Sequence, residues 1–170
     1  MARLVEELVN VLEAEKQIYT TLVGYEERKK DVLIAADVAT LEEITTKEQL
    51  AGDDLIAYSN KQIQILKDIA TVLGRTDGKM TVTRLISLLD TQPKVQEQLT
   101  EARDSLLTAA NQMKTLSDQN AILIRQAIEL NEFDMTLFKS LRQAPETANY
   151  DKSAYNTGSL LGGGGFDATS

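Results

Sequence analysis

The stretch VQEQLTEARDSLLTAANQMKTLSDQNAILIRQAIELNEFDMTLFKSL, residues 95–141, contains no glycine or proline, and it decides the fold. Apolar residues recur in it at alternating steps of four and three, the spacing of a helix face that packs against other helices. The series is Val95, Leu99, Ala102, Leu106, Ala109, Met113, Leu116, Leu123, Ala127, Leu130, Leu137 and Leu141, interrupted by Asn120 and Asp134. A helix from Pro93 to Gln143 would be about 75 Å long at 1.5 Å per residue, so we expect an elongated molecule.

Three further helices are predicted before this one. Apolar residues three, four and seven apart indicate helices over about residues 2–36 and 40–73, and a short apolar helix follows at 82–90. The stretch Thr40–Glu43 has the spacing of a capping box, which predicts a helix start, and Gly74 suits a helix end. Short connections make successive helices antiparallel. We therefore predict an all-α, coiled-coil-like antiparallel bundle of three long helices with one short extra helix.

The predicted bundle domain covers residues 1–144, and the composition changes after it. Gly, Ser, Thr, Asn and Asp dominate residues 145–170, which predicts a flexible tail. Tyr150 and Tyr155 are among the few apolar residues of this tail. Spaced aromatic residues in such a tail are typical of a recognition segment, and a tail without selective contacts is the alternative.

The charge balance excludes some classes of partner. The chain has 26 acidic and 18 basic residues and a net charge of −8, so we expect no nucleic-acid binding, which depends on lysine and arginine. No apolar run approaches the roughly 20 residues that cross a bilayer, and the amino-terminal stretch is too acidic for a signal peptide. We expect a cytoplasmic protein without membrane insertion. The absence of cysteine fits a reducing compartment.

The residue types also argue against an enzyme. The chain has no histidine and no cysteine, which removes most zinc, haem and iron–sulfur ligation and most nucleophilic catalysis. The stretch GRTDGKMT, residues 74–81, has the wrong spacing for a phosphate-binding loop. Paired acids such as Glu42 and Glu43 point about 100° apart on a helix and cannot hold one ligand together. We expect no catalytic residues, no cofactor and no metal.

The last helix has more apolar surface than one packing face requires. Beside the first stripe of Leu123, Leu130 and Leu137, a second stripe lies roughly 110° away and contains Ile124, Ile128, Met135 and Phe138, with Ile122 and Phe133 beyond it. One interpretation is that both stripes are core, each facing another long helix. The other is that the second stripe binds an amphipathic helix of another protein, to which methionine adapts well.

Taken together, these features resemble a FlgN-type flagellar export chaperone. The resemblance covers nearly the whole chain: the opening LVEELVNVLEAEKQIYTTLVGYEERKKDVLIAADVATLEEIT, the stretch LSDQNAILIRQAIELNEFDMTLFKSL, and a tail with Asn149-Tyr150-Asp151 and Tyr155-Asn-Thr-Gly158. It rests on order, length and helix pattern, because none of these stretches is a sharp signature.

The resemblance implies a cytoplasmic, non-enzymatic chaperone of the flagellar type III secretion system. Such a chaperone binds carboxyl-terminal segments of hook–filament junction proteins, prevents their premature assembly and delivers them to the export gate. The client-binding residues it implies are Ile124, Ile128, Phe133, Met135 and Phe138. Tyr150 or Tyr155 would dock on the cytoplasmic domain of the gate protein, although Asp151 stands where some relatives have glycine.

Two alternatives remain open at this point. The same stripes suit a structural coiled-coil protein that forms a homo-oligomer, and a weak homo-oligomer is also compatible with a chaperone. A chaperone for flagellin or for the filament cap differs only in its client.

Overall fold

The computed structural model describes residues 1–143, and the predicted tail with Tyr150 and Tyr155 lies outside the described residues. Four helices follow one another: α1 (Ala2–Ile34), α2 (Val38–Val72), α3 (Val82–Leu88) and α4 (Pro93–Gln143). No strand occurs in residues 1–143, so the all-α prediction is confirmed for this part of the chain. The chain divides into two compact units, Met1–Asn120 and a second that begins at Ala121, and α4 contributes to both.

The core of the first unit lies where four elements meet. The start of α1, the end of α2, all of α3 and the start of α4 contribute side chains to one apolar cluster. Its most completely buried members are Leu8, Leu12, Ile69, Leu85 and Leu99, each at most 1% exposed. The short helix α3 therefore belongs to the core, because Val82 and Leu85 are buried in it.

Polar contacts show the directions of the long helices in this unit. Glu15 and Lys29 of α1 lie opposite Gln62 and Glu48 of α2 respectively, so the two helices run antiparallel. The starts of α1 and α4 share the core through Leu8 and Leu99, and Glu26 contacts Asn120 further along both helices, so these helices run parallel.

Both α1 and α2 end in the same hydrogen-bonded motif. After α1, the Asp37 N–H donates to the Val32 carbonyl at 3.1 Å and the Ala36 N–H donates to Leu33 at 3.2 Å, which is a Schellman motif. After α2, the N–H groups of Arg75 and Gly74 donate to Ala70 and Thr71 in the same way. The motif needs a left-handed residue, and Gly74 supplies φ 64° whereas Ala36 adopts φ 54° despite its Cβ.

The start of α2 differs from the prediction. Asp37, rather than Thr40, caps the helix, and its carboxylate accepts hydrogen bonds from the Thr40 N–H at 3.2 Å and the Thr40 hydroxyl at 2.6 Å. These bonds lower the pKa of Asp37. The predicted capping box was therefore wrong by one turn, because aspartate and threonine both suit the cap position and the sequence offers both.

The two Schellman motifs give a matched pair of substitutions. Ala36→Gly removes the strain of a left-handed alanine and is expected to raise the free energy of unfolding by about 1 kcal/mol. Gly74→Ala is expected to lower it by about the same amount, since a Cβ there meets no atom within 4 Å and only the backbone cost remains. Urea unfolding of both variants measures the two changes. Equal signs for the two would contradict this account of the helix ends.

Candidate functional site

The candidate site is the apolar surface of α4 beyond Asn120. Eight large apolar side chains are solvent-exposed here, from 38% at Ile128 to 69% at Leu141. They are Ile122, Ile128, Leu130, Phe133, Met135, Leu137, Phe138 and Leu141, and we call them the α4 surface. Isolated exposed apolar residues are ordinary on a soluble protein, but eight of them within about 20 residues of one helix are typical of a binding surface.

Four of the five client-binding candidates belong to this surface. Ile128, Phe133, Met135 and Phe138 are exposed, and Ile124 is half-buried. Since residues three, four and seven apart share one side of a helix, Ile128, Met135 and Phe138 fall on neighbouring turns. The structure therefore brings the second stripe together on one helix and leaves most of it open to solvent.

The structure also exposes residues that the spacing assigns to the helix seam. Leu130, Leu137 and Leu141 continue the series of fours and threes, yet they are 62%, 47% and 69% exposed. The interpretation that both stripes are core is wrong for these residues in the single chain. Their spacing is the same as that of the buried Leu99 and Ala102, so periodicity alone could not separate them.

Charged groups border the α4 surface, and the exposed Asp134 lies within it. The Arg142 guanidinium lies over the Phe138 ring, 5.2 Å from its centroid, which is the geometry of a cation–π contact. Arg125, Glu129 and Lys139 supply exposed charges of both signs on the remaining sides of the helix. An apolar strip bordered by mixed charges suits an amphipathic helix that has its own charged borders.

Asn120, which interrupts the apolar series, is the last residue of the first unit and is 3% exposed. Its side-chain amide donates to the Glu26 carbonyl oxygen and to Glu26 Oε2, each at 2.7 Å. This bond joins α1 to α4, so the interruption is a buried polar contact between helices. Single buried polar residues of this kind specify helix register in coiled coils.

The spacing of Glu26 and Lys30, one turn apart on α1, predicts that both lie on a solvated outer face, and this prediction is wrong for Glu26. Glu26 is 6% exposed and lies 3.8 Å from the Lys29 ammonium, which also contacts Glu48 at 2.7 Å. Burial raises the pKa of Glu48, and the Lys29 ammonium opposes that rise. Lys29 and Glu48 link α1 to α2 beside the point at which Glu26 and Asn120 link α1 to α4.

A second buried acid lies further along the α1–α2 contact. Glu15 is 5% exposed, and burial raises its pKa to about 7. With its nitrogen turned toward Glu15, the Gln62 amide donates to both carboxylate oxygens at 2.9 Å. Burial and the Glu15 charge in turn raise the pKa of Tyr19. The helical spacing places Glu15 on the packed face of α1, but the sequence analysis did not use that signal.

Within residues 1–143 the site consists of the exposed apolar surface of α4 and the buried polar contacts next to it in sequence. In residues 1–143, no three Asp or Glu side chains converge as a metal site would require. None of the helices that the structure describes is long and apolar enough to span a membrane. What the α4 surface can do is bury apolar area against another molecule.

The fold and this surface define a helical protein-binding module. The model of one protein family, described as FlgN protein, matches residues 1–158. The chain therefore belongs to the FlgN family, and this membership implies a flagellar export chaperone.

A second comparison matches only a small part of an enzyme. Over 98 residues the chain is 31% identical to the alanine–tRNA ligase of Pseudoalteromonas translucida (strain TAC 125). The match covers 58% of this chain and 9% of the ligase, so it carries no argument about activity. No solved structure matches the chain.

Glu15 makes stability depend on pH. Its carboxyl group ionises near pH 4.5 in the unfolded chain and near 7 in the fold. The contribution of Glu15 to stability is therefore fully present below pH 4.5 and is lost as the pH rises toward 7. The reason is that the carboxyl group of Glu15 loses its proton at lower pH in the unfolded chain than in the fold. In the wild type, we expect the free energy of unfolding to fall by about 1–3 kcal/mol between pH 4.5 and 7 because of Glu15. The Gln62 hydrogen bonds make this fall smaller, because they stabilise the charged carboxylate. Glu15→Gln is expected to remove the fall.

Urea unfolding at about pH 5 and pH 8 measures this difference. The control is Glu13→Gln, which changes an exposed glutamate of the same helix and should retain the wild-type dependence on pH. An unchanged pH dependence in Glu15→Gln would show that this carboxyl group ionises normally.

Proposed function

We propose that the chain binds carboxyl-terminal helical segments of hook–filament junction proteins on the α4 surface, prevents their premature assembly and delivers them to the export gate. The observation that carries the proposal is the exposure of the eight apolar side chains on α4 beyond Asn120. Membership of the FlgN family supports the choice of flagellar axial proteins as clients. No catalytic step is part of this function.

Three long helices joined by short connections suit this task. We propose that they form the predicted three-helix bundle, supported in the first unit by the antiparallel α1–α2 contacts and the parallel α1–α4 contacts. In this arrangement, the buried core of the first unit stabilises the fold and the α4 surface is left for the client. Binding energy then comes from burying apolar side chains that the chaperone and the client each expose.

The affinity must allow release of the client. A client that leaves at the export gate cannot be held at the limit of non-covalent binding, so we expect dissociation constants between micromolar and nanomolar, about −8 to −12 kcal/mol. The net charge of −8 on the chaperone opposes association between its copies.

Docking on the cytoplasmic domain of the export gate is proposed for Tyr150 and Tyr155. Both lie outside the described residues, so the proposal rests on the sequence and on the family. A tyrosine in a polar segment can fill an apolar pocket and donate a hydrogen bond at once, which makes it a frequent anchor in interfaces.

A chaperone for flagellin or the filament cap, and a structural homo-oligomer, are the other functions that the same surface would serve. The first differs from the proposal in the client, and the second in that a further copy of this chain covers the α4 surface. Binding measurements with each axial protein and the mass of the free protein separate them.

Acidic substitutions on the α4 surface test client binding. Ile128→Asp and Phe138→Asp are each expected to weaken binding of a junction-protein carboxyl-terminal segment by about 30-fold or more, since interface anchors contribute about 2 kcal/mol or more. Helicity and melting should change little, because both side chains are exposed. Leu107→Asp is the matched control, as Leu107 is 51% exposed on the same helix but lies before Asn120.

Isothermal titration measures the affinities, and light scattering measures the mass with and without the segment. A constant homo-oligomer that ignores the segment would contradict the chaperone function and favour the structural alternative. Loss of the fold in both variants would show that these side chains are core.

The tail tyrosines are tested separately from the client surface. Tyr150→Ala and Tyr155→Ala are expected to leave the affinity for the junction-protein segment unchanged. At least one of them should weaken binding to the purified cytoplasmic domain of the gate protein about tenfold or more. Full retention of gate binding by the double variant would remove both residues from this role.

A further inference from the structure

A groove in the first unit lies between α2 and the segment that leads into α3. Its volume is about 660 Å³, and residues of α2 from Ser59 to Thr71 and of the segment from Thr76 to Val82 form its walls. The buried side chains that line it are Leu66, Ala70, Met80 and Val82, which are members of the apolar core. The groove therefore opens directly onto the core of the first unit, far along the sequence from the α4 surface.

The apolar lining continues along α2 beyond the groove. Ile63, at the groove, is 42% exposed, and Ile56 is 62% exposed. Residues seven apart share one side of a helix, so Ile56, Ile63 and Ala70 form one apolar line. This line is about 21 Å long at 1.5 Å per residue, the length of about four helical turns. An extended apolar line suits a helical segment better than a compact small molecule.

The charge of the groove is opposite to that of the protein. Lys67 and Lys79 are the charged residues that line it, and no acidic residue does, whereas the whole chain has a net charge of −8. Within residues 1–143 neither lysine takes part in an ion pair. The nearby Asp77 carboxylate pairs instead with Arg84 at 3.3 Å. Both ammonium groups are thus available to an acidic ligand.

We propose that this groove binds an acidic amphipathic helix of a protein partner other than the client. The apolar face of the helix covers Ile56 and Ile63 and fills the groove over Leu66 and Met80, and its carboxylates pair with Lys67 and Lys79. Apolar burial supplies the affinity, while the two lysines select an acidic partner and orient it. The remaining acidic surface of the protein repels such a helix, so binding is confined to this groove.

The methionine methyl groups provide a direct test, because the chain has only four methionines. Met80 lines the groove and Met135 lies on the α4 surface, so one methyl spectrum of the full chain distinguishes the two surfaces. The probe is a synthetic helix of about 18 residues with leucines three and four apart and glutamates elsewhere, long enough for the apolar line. The expected result is a saturable shift of the Met80 signal with little change at Met135.

Two variants of the groove and one control complete the test. Ile63→Asp, and Lys67→Glu combined with Lys79→Glu, are each expected to weaken binding of the acidic helix at least tenfold. The control combines Lys94→Glu with Lys114→Glu, which makes the same charge change at exposed lysines of α4 outside the groove, and it should weaken binding less than threefold. All three variants alter exposed side chains, and circular dichroism checks that the fold is retained.

Several outcomes would overturn the proposal. One is a shift at Met135 alone, or no shift at all. Another is an equal shift of Met80 with a helix in which lysine replaces every glutamate, which would remove the selection by charge.

Two further outcomes would identify a different occupant. A Met80 signal that depends on protein concentration without peptide would mean that a second copy covers the groove. A change of that signal on Leu160→Asp, Leu161→Asp and Phe166→Asp together would mean that the chain's own tail does.

Discussion

The fold depends on the burial of α1 by two other helices. Ten residues of α1 are buried, twice as many as in α2, although the two helices have nearly the same length. α2 packs along α1, and the first part of α4 completes the cover through Leu99 and Ala102. In proteins most of the stability of a helix comes from packing of its apolar face rather than from propensity, so α1 depends on this packing. α2 and α4 each cover α1 with one face. Their other faces are exposed to solvent, and exposed apolar residues such as Ile56 of α2 and Leu107 of α4 lie there.

Buried polar groups give this packing its register. When the apolar residues of two helices repeat regularly, one helix can slide by seven residues along the other at little cost, because apolar residues face each other again in the new register. The Asn120 amide cannot shift without losing its hydrogen bonds to Glu26, and Lys29 cannot shift without losing its contact with Glu48. Breaking a buried pair by removing one partner is costly even where the pair itself adds little stability. These contacts therefore restrict which arrangement of the helices forms, and Glu15 adds a dependence on pH.

The surplus apolar surface connects the fold with a function. Residues of the first unit cover their own seam, whereas Leu130, Leu137 and Phe138 remain exposed on α4. The proposed chaperone function uses this surface, because exposed apolar side chains gain free energy when a client covers them. The cationic groove beside α2 differs from it in charge and in the unit that carries it, so the two surfaces suit different partners.

The sequence by itself determined that the part of the chain in residues 1–143 is all-α, since hydrophobic period, glycine and capping residues act locally. It also identified the apolar residues of the candidate site. Only the tertiary structure decided which apolar positions are covered: Leu99 is buried and Leu137 is exposed, although both occupy the same series. It likewise decided that Glu15 and Glu26 are buried while Glu13 is exposed. The physical reason is that burial depends on what lies opposite a side chain, and the opposite residues come from distant parts of the chain.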